Sequence, residues 1–118
     1  MENLERLVNE LRKIPNEIPW VEFKHNNYNP EMIGQDVSAL ANSAALHEKS
    51  CAYMLWGIDD TTHEIAGTDY NLQTLKKGNQ ELENWLRSLL SQNADFEFHS
   101  VPMNDKSVGI LIIYRAVN

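Results

Sequence analysis

What this chain of 118 residues lacks narrows it first. It has a single cysteine, Cys51, so no internal disulfide can form, and a reducing compartment fits best. No run approaches the ~20 consecutive apolar residues that a membrane span needs. The N-terminus, Met1-Glu2-Asn3-Leu4-Glu5-Arg6, is acidic and amphipathic rather than basic and then apolar, so it does not read as a secretory signal. A cytoplasmic location with no membrane partner is therefore expected. Positive charge is also scarce: 10 Lys and Arg stand against 17 Asp and Glu, a net charge of −7. Nucleic-acid binders are usually basic, because phosphate contacts supply most of their affinity. An acidic domain must gather its few cations in one place, hold a divalent metal, or bind something else. No Gly-x-x-x-x-Gly-Lys-Ser/Thr phosphate loop occurs. The nearest approach is Lys76-Lys77-Gly78-Asn79 ahead of a helix, where a helix N-terminus with two lysines could hold one phosphate. His25, His47, His63 and His99 show no metal-ligand spacing and read as loop or surface residues.

What is present is an ordinary globular share of apolar residues, 42%. That is enough for one domain over 1–118 with a real core and no staples. Leu4, Leu7, Val8 and Leu11 recur at helical spacing, and Pro15 ends that helix, expected over 2–13. Trp20–Lys24 alternates as a short strand, with Glu22 and Lys24 on one face and Val21 and Phe23 on the other. Asn29-Pro30-Glu31 is a helix start: an N-cap, a proline at the first turn and a carboxylate at the positive dipole end. Its helix should run to about His47 with Ile33, Val37, Leu40, Ala41 and Ala44 inward. Ser50–Ile58 is nearly all apolar and reads as a central strand buried on both faces, Cys51 being a buried small hydrophobe within it. Asp59-Asp60-Thr61-Thr62 reads as a turn, with His63–Gly67 the returning strand of a hairpin. Thr68–Lys77 reads as irregular. A third helix is expected at about 80–91, with Leu82, Trp85, Leu86 and Leu89 inward. Strands are expected at Phe96–Val101 and Val108–Tyr114. The expected class is α+β, a mixed sheet packed by two or three helices in the order α-β-α-β-β-α-β-β. The end at Ala116-Val117-Asn118, directly after a strand, suggests the N-terminal part of a longer protein with further C-terminal domains.

Two short signatures carry more than structure. The first is Val21-Glu22-Phe23-Lys24 ahead of a helix that contains Ala41-Asn42-Ser43. The second is Leu55-Trp56-Gly57-Ile58-Asp59-Asp60, followed by His63-Glu64-Ile65-Ala66-Gly67-Thr68. In this order and spacing they resemble the Schlafen-type AlbA-like domain, a family once described as a divergent AAA-type ATP-binding domain. The resemblance runs from about Glu17 to the C-terminus. It implies an N-terminal, DNA-binding part of a transcriptional-regulator-like protein. In animal Schlafen proteins a related core cleaves RNA with divalent metal and three acids. Carried onto this sequence, Glu22 matches one acid, Glu17 is placed like the second, and Asp59 or Asp60 matches the third; Lys24 is the basic partner. Many members carry a Gly-Gly pair before the central strand. Here the link is Ala44-Ala45-Leu46-His47-Glu48-Lys49-Ser50, without glycine. The animal enzymes also pair two such lobes, which a homodimer could supply here.

Three carboxylates converging at strand ends would make an oxygen-rich site suited to Mg²⁺ or Mn²⁺, able to activate water and stabilise charge on phosphorus. The plainer reading is a Glu22–Lys24 ion pair and a turn at Asp59-Asp60, since Asp favours turns whatever the function. For nucleic acid the candidate cations are Lys24, Lys49, Lys76, Lys77 and Arg87, and the candidate stacking aromatics are Tyr28 and Tyr70. The expectation is a nucleic-acid-binding regulatory domain, dimeric through a sheet edge or an apolar helix face and not an enzyme in isolation. A Mg²⁺- or Mn²⁺-dependent endoribonuclease core and a protein-interaction or dimerisation module are the alternatives.

Overall fold

A computed structural model describes residues 2–14, 18–24, 29–69, 71, 76–77, 80–89 and 95–115. Among these residues, three helices and a four-stranded mixed sheet build the domain, which is of the expected α+β class. The helices are α1 (Glu2–Arg12), α2 (Pro30–Leu46) and α3 (Leu82–Leu89). The strands, in chain order, are β1 (Val21–Lys24), β2 (Cys51–Trp56), β3 (Lys76–Lys77), β4 (Gln80–Glu81), β5 (Phe96–Met103) and β6 (Lys106–Tyr114).

The sheet runs β1-β2-β6-β5. β1 and β2 are parallel, joined by α2, and Val21 pairs with Tyr53 and Lys24 with Trp56. The β2–β6 and β6–β5 pairs are antiparallel. Strand alternation then assigns side chains to two cores. Ala52, Met54, Trp56, Phe96, Phe98, Leu111 and Ile113 face α2 and α3, where Ile33, Val37, Leu40, Leu82 and Leu86 meet them. Val21, Phe23, Leu55, Val101, Val108 and Ile110 face the other way and are covered by Val8 and Leu11 of α1. Trp56, 0% exposed, is the largest of the fully buried side chains.

α2 begins as its sequence demands: the Asn29 side chain accepts from the Met32 N–H at 3.1 Å, with Pro30 as the first helical residue. Its other end closes with a Schellman pair. The Glu48 N–H donates to Ala45 O at 3.2 Å and the Lys49 N–H to Ala44 O at 2.8 Å. The left-handed residue of that cap, normally glycine, is Glu48, at φ 57°.

Three local expectations are corrected. His63–Gly67 is not a strand; one bridge, Ile58 to Ile65, holds it. The end of β2 that leads into the turn, Tyr53–Trp56, is already flanked by β1 and β6, so no edge is left there for a third partner. The left-handed His63 (φ 61°) and Gly67 (φ 86°) also break the extended run. An additional β pair instead joins the end of the stretch expected to be irregular to the start of the expected third helix, where Lys76 pairs with Glu81 and Lys77 with Gln80, so that α3 begins only at Leu82. Cys51 is half-buried rather than buried, because β2 reaches the rim of the sheet there.

Candidate functional site

The parallel pairing of β1 and β2 brings their carboxyl ends together. The Gly57 N–H donates to Lys24 O at 3.0 Å, so the chain leaves β2 beside the last residue of β1. In open α/β sheets, ligand crevices form outside the carboxyl ends of parallel strands.

Glu22 and Lys24 share the α2 face of β1, as alternation requires. Lys24 Nζ lies 3.2 Å from Glu22 Oε1 and 3.0 Å from Asp36 Oδ2 of α2. The lysine side chain is 16% exposed and each acid 28%. Burial by itself would lower the Lys24 ammonium, but its hydrogen bonds to Asp36 and Glu22 outweigh that, and its pKa rises above the ordinary 10.5. The cation is thus held charged between two carboxylates. Beside it, Ile18, Pro19, Val21, Glu22 and Leu40 line a cleft of about 370 Å³.

Asp59 organises the turn that follows β2. Its Oδ1 accepts from the backbone N–H groups of both Thr61 and Thr62 at 2.8 Å, which is the turn chemistry expected of an Asp in this position. Asp60 is exposed, with the Thr61 hydroxyl 3.5 Å from its Oδ1. The turn is latched to α1. Arg12 Nε donates to His63 O at 2.8 Å, and His63 Nδ1 lies 3.2 Å from Arg12 O. The His63 ring packs on Phe23 with centroids 4.4 Å apart.

Gly57 makes this end possible. It sits at φ 89°, and a Cβ there would meet Gly67 C at 2.9 Å and Thr68 N at 3.1 Å. Its carbonyl accepts from the N–H groups of both Ala66 and Gly67. Strand end, turn and return cross within van der Waals contact at a residue without a side chain.

These features are the signatures of Val21-Glu22-Phe23-Lys24 and Gly57-Ile58-Asp59-Asp60 seen in three dimensions. A family model for Schlafen, AlbA_2 matches residues 17–118. The chain belongs to the Schlafen AlbA_2 family. No curated protein matches it.

The expected residues of this Schlafen AlbA_2 domain divide as follows. Glu22 and Lys24 are in contact with each other, and Asp59 and Asp60 follow the neighbouring strand. Glu17, Tyr28 and Tyr70 lie outside the described residues, and of Lys76 and Lys77 only the backbone is described. Among the described residues no group of three or more His, Cys, Asp or Glu side chains is placed to hold a metal ion. Arg87 is engaged by Asp95 and by Phe96 O. Lys49, by contrast, is exposed, its Nζ 4.7 Å from the centre of the Trp20 ring. Trp20 in turn meets the His47 ring at 5.3 Å.

Asp36 was missed from sequence. The signal was available: it lies between Ile33, Val37 and Leu40 on the buried stripe of α2, where a carboxylate needs a partner. The tyrosines of the sheet face, Tyr53 and Tyr114, were also missed, because they sit inside runs that read simply as apolar strands.

Proposed function

We propose that this Schlafen AlbA_2 domain is a nucleic-acid-binding module of a regulator-type protein, and that it binds rather than cuts. The observation that carries this reading is the family match over residues 17–118. The charge arrangement supports binding without turnover. Glu22 is ion-paired with Lys24, and one oxygen of Asp59 is occupied by two backbone N–H groups. The same pairing takes Lys24 out of the phosphate-binding set, since its charge is matched twice over. Lys49, with Lys76 and Lys77, remains as the source of phosphate contacts.

The second reading is the metal-dependent endoribonuclease. What favours it is topology: the parallel β1–β2 pair brings Glu22 and Asp59 to the same end of the sheet. Against it, the described residues do not complete a metal site.

One gel separates the two. The domain is incubated with end-labelled hairpin RNA, single-stranded RNA and duplex DNA, with and without Mn²⁺, beside Glu22→Ala. The binding reading expects intact nucleic acid and a shift that weakens as salt rises. Metal-dependent cleavage that disappears in Glu22→Ala would install the nuclease instead. Intact and unshifted nucleic acid at low salt would overturn both.

A further inference from the structure

The opposite end of the sheet carries a second set of residues. α1 covers only part of its face. Alternation places Cys51 and Tyr53 of β2, Ile112 and Tyr114 of β6, and Glu97 and His99 of β5 on that same face, next to the covered core. Tyr53 is half-buried and Tyr114 is 37% exposed. Cys51 pairs with Tyr114 and Tyr53 with Ile112, so the two tyrosines are diagonal neighbours on adjacent strands. Such neighbours lie roughly 7–8 Å apart, within reach of one another's rings. The Tyr114 hydroxyl donates to Glu97 Oε2 at 2.8 Å, which fixes the orientation of its ring.

Two exposed cations stand at the same end of the sheet. Lys49, exposed on Trp20, is separated from the start of β2 by one residue, and the exposed Arg115 follows β6, its N–H donating to Ser50 O at 3.1 Å. Most other described cations are engaged elsewhere: Arg12 by His63 O, Lys13 by Glu10, Lys24 by Glu22 and Asp36, Arg87 by Asp95 and Lys106 by Ile65 O.

We infer that the ligand of this face is single-stranded nucleic acid, its unpaired bases stacking on Tyr53 and Tyr114 and its phosphates following the Lys49–Arg115 rim. This rests on the nucleic-acid reading above and specifies its site and substrate class. Two arguments select a single strand over a duplex. A duplex hides its base faces and relies on many phosphate contacts, each needing a cation; a domain with a net charge of −7 and two cations on this rim cannot supply them. Stacking needs few cations and only exposed π-faces, and it is sequence-tolerant. Glu97 stands on the β5 side of the tyrosines, so the phosphates run past the end of the sheet, where Lys49 precedes β2 and Arg115 follows β6.

The test is fluorescence anisotropy of the whole chain with labelled single-stranded RNA and DNA and with a duplex of the same sequence. Variants are Tyr53→Leu, Tyr114→Leu, Tyr114→Phe and Lys49→Ala, with thermal melts to confirm folding. Wild type is expected to prefer the single strand. Each leucine variant should weaken it roughly 5- to 150-fold, whereas Tyr114→Phe, which keeps the ring, should bind like wild type. Lys49→Ala should lower both affinity and its salt dependence. Single-strand affinity that survives both leucine substitutions, or a preference for duplex, overturns the inference while leaving nucleic-acid binding in place. No binding to any of the three probes overturns both. A concentration-dependent dimer in sedimentation that the leucine variants dissolve, with no effect of oligonucleotide, would assign the face to a second copy and also overturn the inference.

Discussion

The two ends of the β1–β2 pair use similar residues for opposite purposes. At the carboxyl end a lysine is locked between two carboxylates, an aspartate is spent on backbone N–H groups, and α1 latches the turn. At the amino end a lysine rests on a tryptophan, and half-exposed tyrosines stand on open sheet. The difference teaches where charge remains available. A cation matched by two carboxylates contributes to the fold and little to the field felt by a phosphate. A cation over an aromatic ring keeps its full charge outward. In an acidic domain, counting lysines therefore says less than asking what each one touches.

The largest expected effect lies at the carboxyl end. Gly57→Ala would put a Cβ into the backbone of Gly67 and Thr68 at a positive φ. It should cost about 2–4 kcal/mol, read as a lower urea midpoint at unchanged slope. Next is Lys24→Met, which leaves Glu22 and Asp36 facing each other without their shared cation. About 1–3 kcal/mol should be lost, below the cost for a fully buried pair because all three groups are partly solvated. Adding Asp36→Leu should recover much of the loss, since the remaining Glu22 can turn to water. A double variant no more stable than Lys24→Met would show that the ion pairs are not what holds this end together.

Much of this was legible from residue patterns. The 3.6-residue stripe of α1 and the Asn29-Pro30-Glu31 start of α2 act within one turn of chain, so local rules suffice. The alternation of Trp20–Lys24 correctly put Glu22 and Lys24 on one face. What was not legible depends on partners distant in sequence. Asp36 reaches Lys24 only because α2 crosses over the β1–β2 pair. His63–Gly67 fails as a strand because β6, about forty residues further on, has taken its place beside β2. The tyrosines of β2 and β6 lie within apolar runs; only the limited reach of α1 over the sheet shows that they meet solvent. Of the candidate site, the Glu22–Lys24 contact and the Asp59 turn were readable; the open face at the other end was not.

Glu48→Gly sharpens the comparison from the amino end. Glu48 occupies the left-handed position of the α2 cap at φ 57°, a conformation that costs a side-chain-bearing residue on the order of 1 kcal/mol. Glycine should therefore raise stability by about 1 kcal/mol or less, offset by the freedom it gives the unfolded chain. Removing this carboxylate next to Lys49 should also strengthen oligonucleotide binding slightly. An unchanged or lowered melting temperature would mean that Glu48 is supported by its surroundings.

The smallest effect is a pH dependence, and it separates the ends cleanly. The hydrogen bond to Glu97 is the main cause that pushes the Tyr114 phenol from 10.0 up to about 12, with burial and the Glu97 charge adding to it. The folded chain thus favours the neutral phenol, and the unfolded chain ionises first. Stability from this contact is complete below pH 10 and is lost as the pH rises from there to about 12. Lys24 acts in the same direction but over a higher window. Its contribution is complete below 10.5, the unfolded value, and is lost only as the pH passes its raised folded value. Urea midpoints followed through the alkaline range should fall for wild type and fall less steeply for Tyr114→Phe, while Lys24→Met keeps the Tyr114 part of the slope. If Tyr114→Phe leaves the slope unchanged, the Glu97 hydrogen bond does not hold in solution.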